Sequence, residues 1–524
     1  MDEPTSLAPT LEDACRRWAQ RPAISQQGGV VTYQELWARV RALARAYQRL
    51  GVGRGDRVMC ALRTGLEHVV AMHAAWACGA VHVGVHNELT APELCALAGR
   101  LSPAALLLQP SGTDDDGHRR RPVAEALPDT IRIVHGGAAF DDELLLAPLL
   151  VDDSRGDLDP ELPGPGDPGV VFLTSGSTGP PKAVIDTLPG LWGKVGFFNQ
   201  MVRPGPDDVH LMFLPICHAF GLKLTTLALL SGGRLTLLDR FSPEMALRLV
   251  TSERVTVLPA TPTHLSLLLA KLDSAVHHTA SLRWIPSAAA PLPRPLAEQA
   301  YQRLGAEIFY VYGCSEGFLC ATTDRGDILD GSVGSTVFAG PPGTSPDGRV
   351  GVVDPERHTA LQPGELGEIV FGAAHPVRYW DQAAAGRDGW YHTGDLGRLD
   401  PDGRLFVLGR RKELVNRGGL KVSVGEIESV LVRHPAVADG AVVPSPDPVL
   451  GEAICACVVP AGPEPPTLAD VRAFLAGSLA RHKLPDELCL LERLPRSSIG
   501  KLDRAALQSL VADGGAPRER LRPR

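Results

Sequence analysis

The stretch from Phe172 to Val184, FLTSGSTGPPKAV, carries the densest set of groups suited to holding a polyphosphate. An apolar run, Val170 to Leu173, reads as a strand that feeds a loop of Thr174, Ser175, Gly176, Ser177, Thr178 and Gly179. Glycines let a backbone bend until consecutive N–H groups converge, and hydroxyls add short donors. Lys182, just past the loop, supplies a positive charge. The spacing departs from GxxxxGK[ST], because Lys182 follows Pro181 and not a glycine. Alone, such a loop is more often a flexible turn. Its companions along the chain carry the argument.

Those companions come in a fixed order. LPICHAFG places His218, Phe220 and Gly221 after an apolar strand, and YVYGCSEG ends a strand at Tyr310, Val311 and Tyr312 with Gly313, Ser315 and Glu316. YHTGD contributes Tyr391, Thr393 and Asp395. GRRKELVNRGGLKVSVGEIE contributes Arg410, Lys412, Gly418, Gly419, Lys421 and Glu426, and PRSSIGKLDR presents Lys501 in a Ser/Gly turn. Each has a bland reading: Lys501 as a solvated lysine, Asp395 as a turn former, Arg410 with Arg411 as a surface charge run, His218 as a core histidine. Gly313 to Gly317 is also a literal GxSxG, which would make Ser315 a nucleophile with His218 and Asp395 as partners. That hydrolase needs a helix after the serine, whereas Phe318 to Thr323 looks extended, and it leaves the phosphate loop and Lys501 idle. A nucleotide-binding sensor would need a lost loop or lysine, and both are intact.

Together these stretches resemble the adenylate-forming superfamily of acyl-CoA synthetases, peptide-synthetase adenylation domains and luciferases, over roughly Thr32 to Arg504. The resemblance implies a reaction in two halves. A carboxylate attacks the α-phosphorus of ATP, giving an acyl-adenylate and pyrophosphate, and a thiol of CoA or of a separate carrier protein's pantetheine then displaces AMP. Such chemistry needs placed positive charge and in-line positioning more than covalent help from the protein. By resemblance, Thr174 to Gly179 and Lys182 bind the β- and γ-phosphates, while Thr178 and Glu316 approach Mg²⁺, a cation that prefers oxygen ligands. Tyr310, Val311 and Ser315 wall the adenine and α-phosphate, Asp395 and Arg410 hold the ribose, and Lys421 joins the ATP set. Lys501 bridges carboxylate and α-phosphate, with His218 and Glu316 as the other catalytic positions. Phe220, Gly221, Ala288, Ala289, Ala290, Gly313 and Phe318 match the acyl pocket, and Gly418 and Gly419 the thiol tunnel. Lys412 matches the hinge about which a small C-terminal domain rotates between the two halves.

The elements that must position these groups are those of an α/β chain. The 524 residues are 44% hydrophobic, enough for a large core, and the net charge of −8 disfavours a nucleic-acid partner. Ten scattered cysteines without paired CxxC motifs read as reduced thiols of a cytoplasmic protein, and no apolar run reaches the length of a membrane span. Thr32 to Leu50 is the clearest helix, with Thr32 and Glu35 as a capping box and Gly51 as its stop. Strands and helices alternate from Arg57 to Val85, from Val209 to Leu238 and from Val255 to Trp284, which predicts largely parallel sheets covered by helices. Ser111 to Arg121 reads as a disordered polar insert. Gly164, Gly166 and Gly169 spell GxGxxG, but prolines at 163, 165 and 168 bar the helix a dinucleotide site needs. Short strands and Gly/Pro turns from Gly348 to Trp390 predict a small β-barrel or meander, and Asp402-Gly403 a hairpin. A smaller α+β unit follows. The expected division is 1–408 for the ATP- and acyl-binding domain, 409–412 for the hinge, 413–515 for a mobile lid carrying Lys501, and 516–524 for a solvated basic tail.

Two departures bear on the substrate. SAAAPLP at Ser287 to Pro293 has alanines where the family commonly has glycines, which narrows the channel floor and favours a small or aryl acid over a long fatty chain. NRGGLK at Asn416 to Lys421 looks like both carrier-loading aryl-acid ligases and some CoA synthetases. The expectation is a Mg²⁺- and ATP-dependent acid–thiol ligase of secondary metabolism, monomeric or homodimeric, with CoA preferred. Adenylation of another oxyanion such as nitrite is the alternative that the resemblance leaves open.

Overall fold

The strands Arg57–Ala61, Val81–Gly84 and Ala105–Leu108 are apolar apart from Arg57 and the buried His82, because both of their faces are covered. Val58 and Cys60 enter one core, while Met59 and Ala61 enter another on the opposite face. The computed structural model describes residues 10–109, 117–136, 143–151, 164–174, 181–316, 319–337, 349–372, 377–381, 386, 389–411, 414–417, 420–447, 450–496, 502–513 and 517–520. The sheet containing these strands runs Glu143–Leu145, Ile131–Val134, Ala105–Leu108, Arg57–Ala61, Val81–Gly84, Pro168–Thr174, Lys182–Thr187. All neighbours are parallel except the last pair, an antiparallel hairpin.

A second sheet holds Val209–Met212, Arg234–Leu237 and Pro22–Gln26 in parallel, with Gly29–Thr32 on its edge. Single-residue bridges at Val257 join it to Trp284–Ser287 and Glu307–Gly313, which the antiparallel strands Leu319–Thr322 and Thr336–Val337 extend. The helix read at Thr32 to Leu50 spans Tyr33–Arg49. Its cap is reciprocal: Glu35 N–H donates to the Thr32 hydroxyl at 3.2 Å and Thr32 N–H to the Glu35 carboxylate at 2.8 Å.

Val350–Val353, Gly367–Gly372, Trp390–Leu399 and Leu405–Arg410 form an antiparallel meander. Among the described residues it is a four-stranded sheet and not the small barrel. The C-terminal unit has its own sheet, Leu420–Ser423, Leu414–Arg417, Gly451–Pro460, Glu487–Leu490 and Arg518–Arg520, with Val437–Asp447 also paired to Gly451–Pro460. Cys455 and Cys457 face one of its cores, and Ile454, Ala456 and Val458 the other. The architecture is thus a large mixed α/β domain followed by a smaller α+β domain.

Two expectations are corrected. Part of the polar insert is ordered, since Gly117–Ala126 is helical and Arg120 is buried 3.5 Å from the Glu143 carboxylate. The basic tail is not wholly solvated. Arg518–Arg520 pairs with Glu487–Leu490, Arg518 lies 3.5 Å from Glu487, and Glu519 accepts from Leu468 N–H at 2.7 Å. No helix among the described residues is long and apolar enough to cross a membrane.

Candidate active site

The strand hairpin carrying the phosphate loop closes on the pair Thr174 and Lys182. Ser175, Gly176, Ser177, Thr178 and Gly179 lie outside the described residues. The Lys182 ammonium sits 5.3 Å from the centre of the Tyr379 ring. Tyr379 is held there by the backbone: Trp380 N–H donates to Ala183 C=O, and Ile185 N–H to Arg378 C=O. Its hydroxyl faces Glu316 Oε1 at 3.5 Å. Burial first, and the Glu316 charge second, push that phenol up to about 12, so it faces Glu316 as a donor. Lys182, Tyr379 and Glu316 therefore join the phosphate hairpin to the end of the Glu307–Gly313 strand.

That strand does not lead into a helix. Gly313 pairs with Leu319 across an antiparallel hairpin, so Ser315 and Glu316 occupy a strand–turn–strand connection and the nucleophile elbow is absent. Phe318 lies outside the described residues. Tyr310 and Val311 are buried, and the Tyr310 hydroxyl accepts from Leu292 N–H at 3.1 Å, which ties the SAAAPLP loop to the strand. His218 stands at the N-terminal end of the helix Ala219–Leu230, its ring 6.2 Å from that of His86.

Asp395 and Arg410 are opposite each other in the pairing of Trp390–Leu399 with Leu405–Arg410, and Arg410 Nε lies 3.1 Å from Asp395 Oδ1. Motif reading did not single out the other partner. Tyr312 donates its hydroxyl to Asp395 Oδ2 at 2.6 Å. Burial and the Asp395 charge hold that phenol well above its usual range, so it stays a donor. Glu368 was missed as well. Only 3% exposed, it accepts from Gly394 N–H at 3.0 Å and from Arg411 at 3.3 Å, and His392 Nδ1 lies 3.3 Å away. Gly394 takes φ +73°, a turn that a side chain would strain. Neither Tyr312 nor Glu368 carries a local signal, because their roles exist only once separate strands meet. Among the described residues, His358, Glu368 and His392 have donor atoms within 4.8 Å of one another. Two imidazoles suit a transition metal better than Mg²⁺, so this group is separate from the expected position at Glu316.

On the acyl side, Ala288 is buried, Ala290 is half-buried and Ala289 has φ +77°. The backbone keeps a glycine-like turn although alanine occupies it. A Cβ on Gly221 would fall 2.4 Å from Pro215 C=O, so the helix start requires glycine there. Phe220 packs on Phe198 at 6.2 Å between ring centres.

The C-terminal candidates are bracketed. Arg496 pairs with Leu502, and Asp503 N–H donates to Pro495 C=O at 2.9 Å, closing the loop that contains Lys501. Arg496 also donates to Thr263 of the large domain at 3.1 Å. Arg417 pairs with Leu420 on either side of Gly418 and Gly419, and Asn416 with Lys421. Lys501, Lys412, Gly418 and Gly419 lie outside the described residues. Gly425 touches the large domain so closely that a Cβ would sit 2.1 Å from Leu408 C=O.

The AMP-binding enzyme family model matches residues 11–378, and the AMP-binding enzyme C-terminal domain model matches 426–501. The chain is 32% identical to 2-hydroxy-7-methoxy-5-methyl-1-naphthoate–CoA ligase of Streptomyces carzinostaticus, covering 97% of this chain and 93% of that protein. It is also 32% identical to a salicylyl-CoA synthase / salicylate adenylyltransferase of a Streptomyces species, covering 92% and 89%. Among solved structures, o-succinylbenzoate CoA synthetase of Bacillus subtilis in complex with its acyl-adenylate intermediate superposes with a TM-score of 0.79 at 25% identity, covering 95% and 97%. The chain belongs to the AMP-binding enzymes of the adenylate-forming superfamily, and is an AMP-forming acid–thiol ligase that uses ATP, Mg²⁺ and CoA.

Proposed function

We propose that this enzyme activates a small aryl carboxylic acid and passes it to CoA, with the carrier-bound pantetheine of a separate protein as the other thiol acceptor. The observation that carries the nucleotide half is the Asp395 carboxylate, held between Tyr312 and Arg410. An ionised carboxylate accepts at about four lone-pair sites, the chemistry that ribose hydroxyls require of a partner. The glycine-like turn at Ala289 and the aromatic acids named in the two ligase relatives support the substrate class.

Thr174 and the loop through Gly179 receive the β- and γ-phosphates, with Lys182 neutralising charge. Glu316 is a half-buried oxygen donor beside that hairpin, which fits Mg²⁺, and Thr178 would share it. When bound, the ion neutralises phosphate charge. Val311 and Ser315 flank the adenine and α-phosphate; Tyr310 acts through the loop at Leu292. Lys501 lies over the developing charge at the α-phosphorus, and His218 stands where acid and ATP meet. Lys421 contributes further positive charge. The chain divides at 409–412, and rotation about Lys412 withdraws Lys501 and opens a thiol path past Gly418 and Gly419. The enzyme works as a monomer or homodimer.

Pyrophosphate release across aryl, short-chain and long-chain acids, with and without CoA, tests this directly. An aryl acid that yields pyrophosphate and an acyl-CoA is the expected result. A preference for long-chain acids would overturn the substrate class, and an adenylate that CoA does not discharge would move the acceptor to a carrier protein.

A further inference from the structure

The helix Ala219–Leu230 buries a charge one turn past Phe220. Lys223 is 2% exposed, flanked in sequence by Leu222 and Leu224, either of which shows what a purely space-filling residue would be. Beside it lies a second buried lysine, Lys194, whose ammonium is 2.5 Å from Asp186 Oδ2. Two ammonium groups thus share one carboxylate, and that carboxylate is already engaged. Among the described residues Lys223 makes no hydrogen bond or ion pair of its own. A buried cation whose nearby carboxylate already binds another ammonium is unfavourable, so the site either loses its proton or awaits an anion. Burial and the neighbouring Lys194 push Lys223 down to about 7, while Asp186 and Cys314 act against that shift.

Its position ties this charge to the acyl pocket. Lys223 shares a helix with Phe220 and Gly221, Phe220 packs on Phe198 of the helix that carries Lys194, and Cys314, next to Gly313, is within its electrostatic reach. We propose that Lys223 is a specificity-determining residue whose ammonium pairs with a second anionic oxygen, a ring carboxylate or phenolate, on the acid being activated. This rests on the acyl-pocket reading above. The reacting carboxylate stays at the ATP end; no bond is made or broken at Lys223. The second oxygen supplies the counter-charge that the interior lacks and restores the lysine to its charged form. A ring without it leaves buried N–H donors unmatched, the situation in which a polar site rejects an analogue most strongly.

The test measures binding of benzoate, hydroxybenzoates, benzenedicarboxylates and their fused-ring counterparts by calorimetry, alongside pyrophosphate release, for the full-length wild type and Lys223→Met. At least one acid with a second anionic oxygen should bind wild type about 100-fold tighter than its unsubstituted parent. In Lys223→Met that advantage should collapse while the parent acid binds as well or better. The phenol and dicarboxylate arms separate the two sources of the oxygen. Equal binding of substituted and parent acids by wild type would overturn the proposal, and so would a preference that survives in Lys223→Met. The wild-type preference is read without any variant, so misfolding of the variant would not shield the idea. Selective binding without pyrophosphate would sink the activation reading and leave Lys223 standing; pyrophosphate from every acid without preference would do the reverse.

Discussion

Tyr312 and Asp395 lie on different sheets, and the tyrosine hydroxyl donates to the carboxylate across 2.6 Å. The bond fixes the orientation of the Asp395 carboxylate. A hydrogen bond to a charged group contributes about 1.5–3 kcal/mol. Tyr312→Phe should therefore raise KM for ATP about tenfold or more, with little change in kcat, in pyrophosphate exchange. The ring contact with Phe371 remains, so the fold should hold. An unchanged KM would detach Asp395 from nucleotide binding.

Ala289 occupies left-handed backbone at φ +77°, which disfavours any residue with a Cβ. Ala289→Gly should stabilise the protein by about 1 kcal/mol, seen as a higher urea midpoint at unchanged slope. It should also broaden the range of acids activated. A lower midpoint would mean that the methyl group packs usefully.

Lys501→Ala should slow adenylate formation by roughly 10²–10³, the loss typical of one preorganised charge donor. The Arg496–Leu502 pairing that brackets its loop does not involve the lysine side chain, so thermal stability should be unaffected. Full adenylation in the variant would remove Lys501 from the mechanism.

Gly425→Ala tests whether the contact between the domains is part of the cycle. Its Cβ would lie 2.1 Å from Leu408 C=O, forcing the helix Val424–Leu431 away from the strand Leu405–Arg410. One half-reaction should fall about 100-fold, as misplacements of an ångström do, while the other survives. Separate assays of pyrophosphate exchange and of thioester formation from purified adenylate distinguish the two. Equal retention of both would show that this contact is incidental.

Lys223 should leave a signature in the pH dependence of stability. Its folded value near 7 lies below the ordinary lysine value of 10.5, with Lys194, Asp186 and Cys314 as the charged and titratable groups acting on it. Below about pH 7 both states hold the proton and burial of the charge destabilises the fold in full. As pH rises from 7 toward 10.5 the folded state has lost the proton and the unfolded state keeps it, so this destabilisation fades. Lys223→Met should therefore be more stable than wild type at pH 7, by a margin that shrinks toward pH 10. A margin independent of pH would contradict the shift.

Local information made some parts of this protein readable in advance. The helix Tyr33–Arg49 was legible because Thr32 and Glu35 cap it within one turn, and the strand before the phosphate loop because its residues are buried on both faces. Asp395 and Arg410 were legible through their motifs. Tyr312, Glu368 and Lys223 were not. Each takes its meaning from residues scores of positions away or on another element, and Lys223 in GLKLTTLALL looks like an ordinary polar position on a helix. Arg518–Arg520 was misjudged for a related reason: three charged residues form a strand only because Glu487–Leu490 offers them an edge.

Glu368 holds Gly394, the residue before Asp395, and also Arg411, the residue before the proposed hinge. One buried charge therefore answers to two equilibria. If rotation draws Arg411 away, the turn that aims Asp395 loses part of its electrostatic support, and nucleotide affinity must fall with it. Thermodynamic reciprocity makes the converse equally true: an occupied ribose site opposes rotation by the same free energy. ATP, and the adenylate that keeps its ribose in the same site, would then oppose the rotation that the thiol step requires, and release of AMP after that step would lift the opposition.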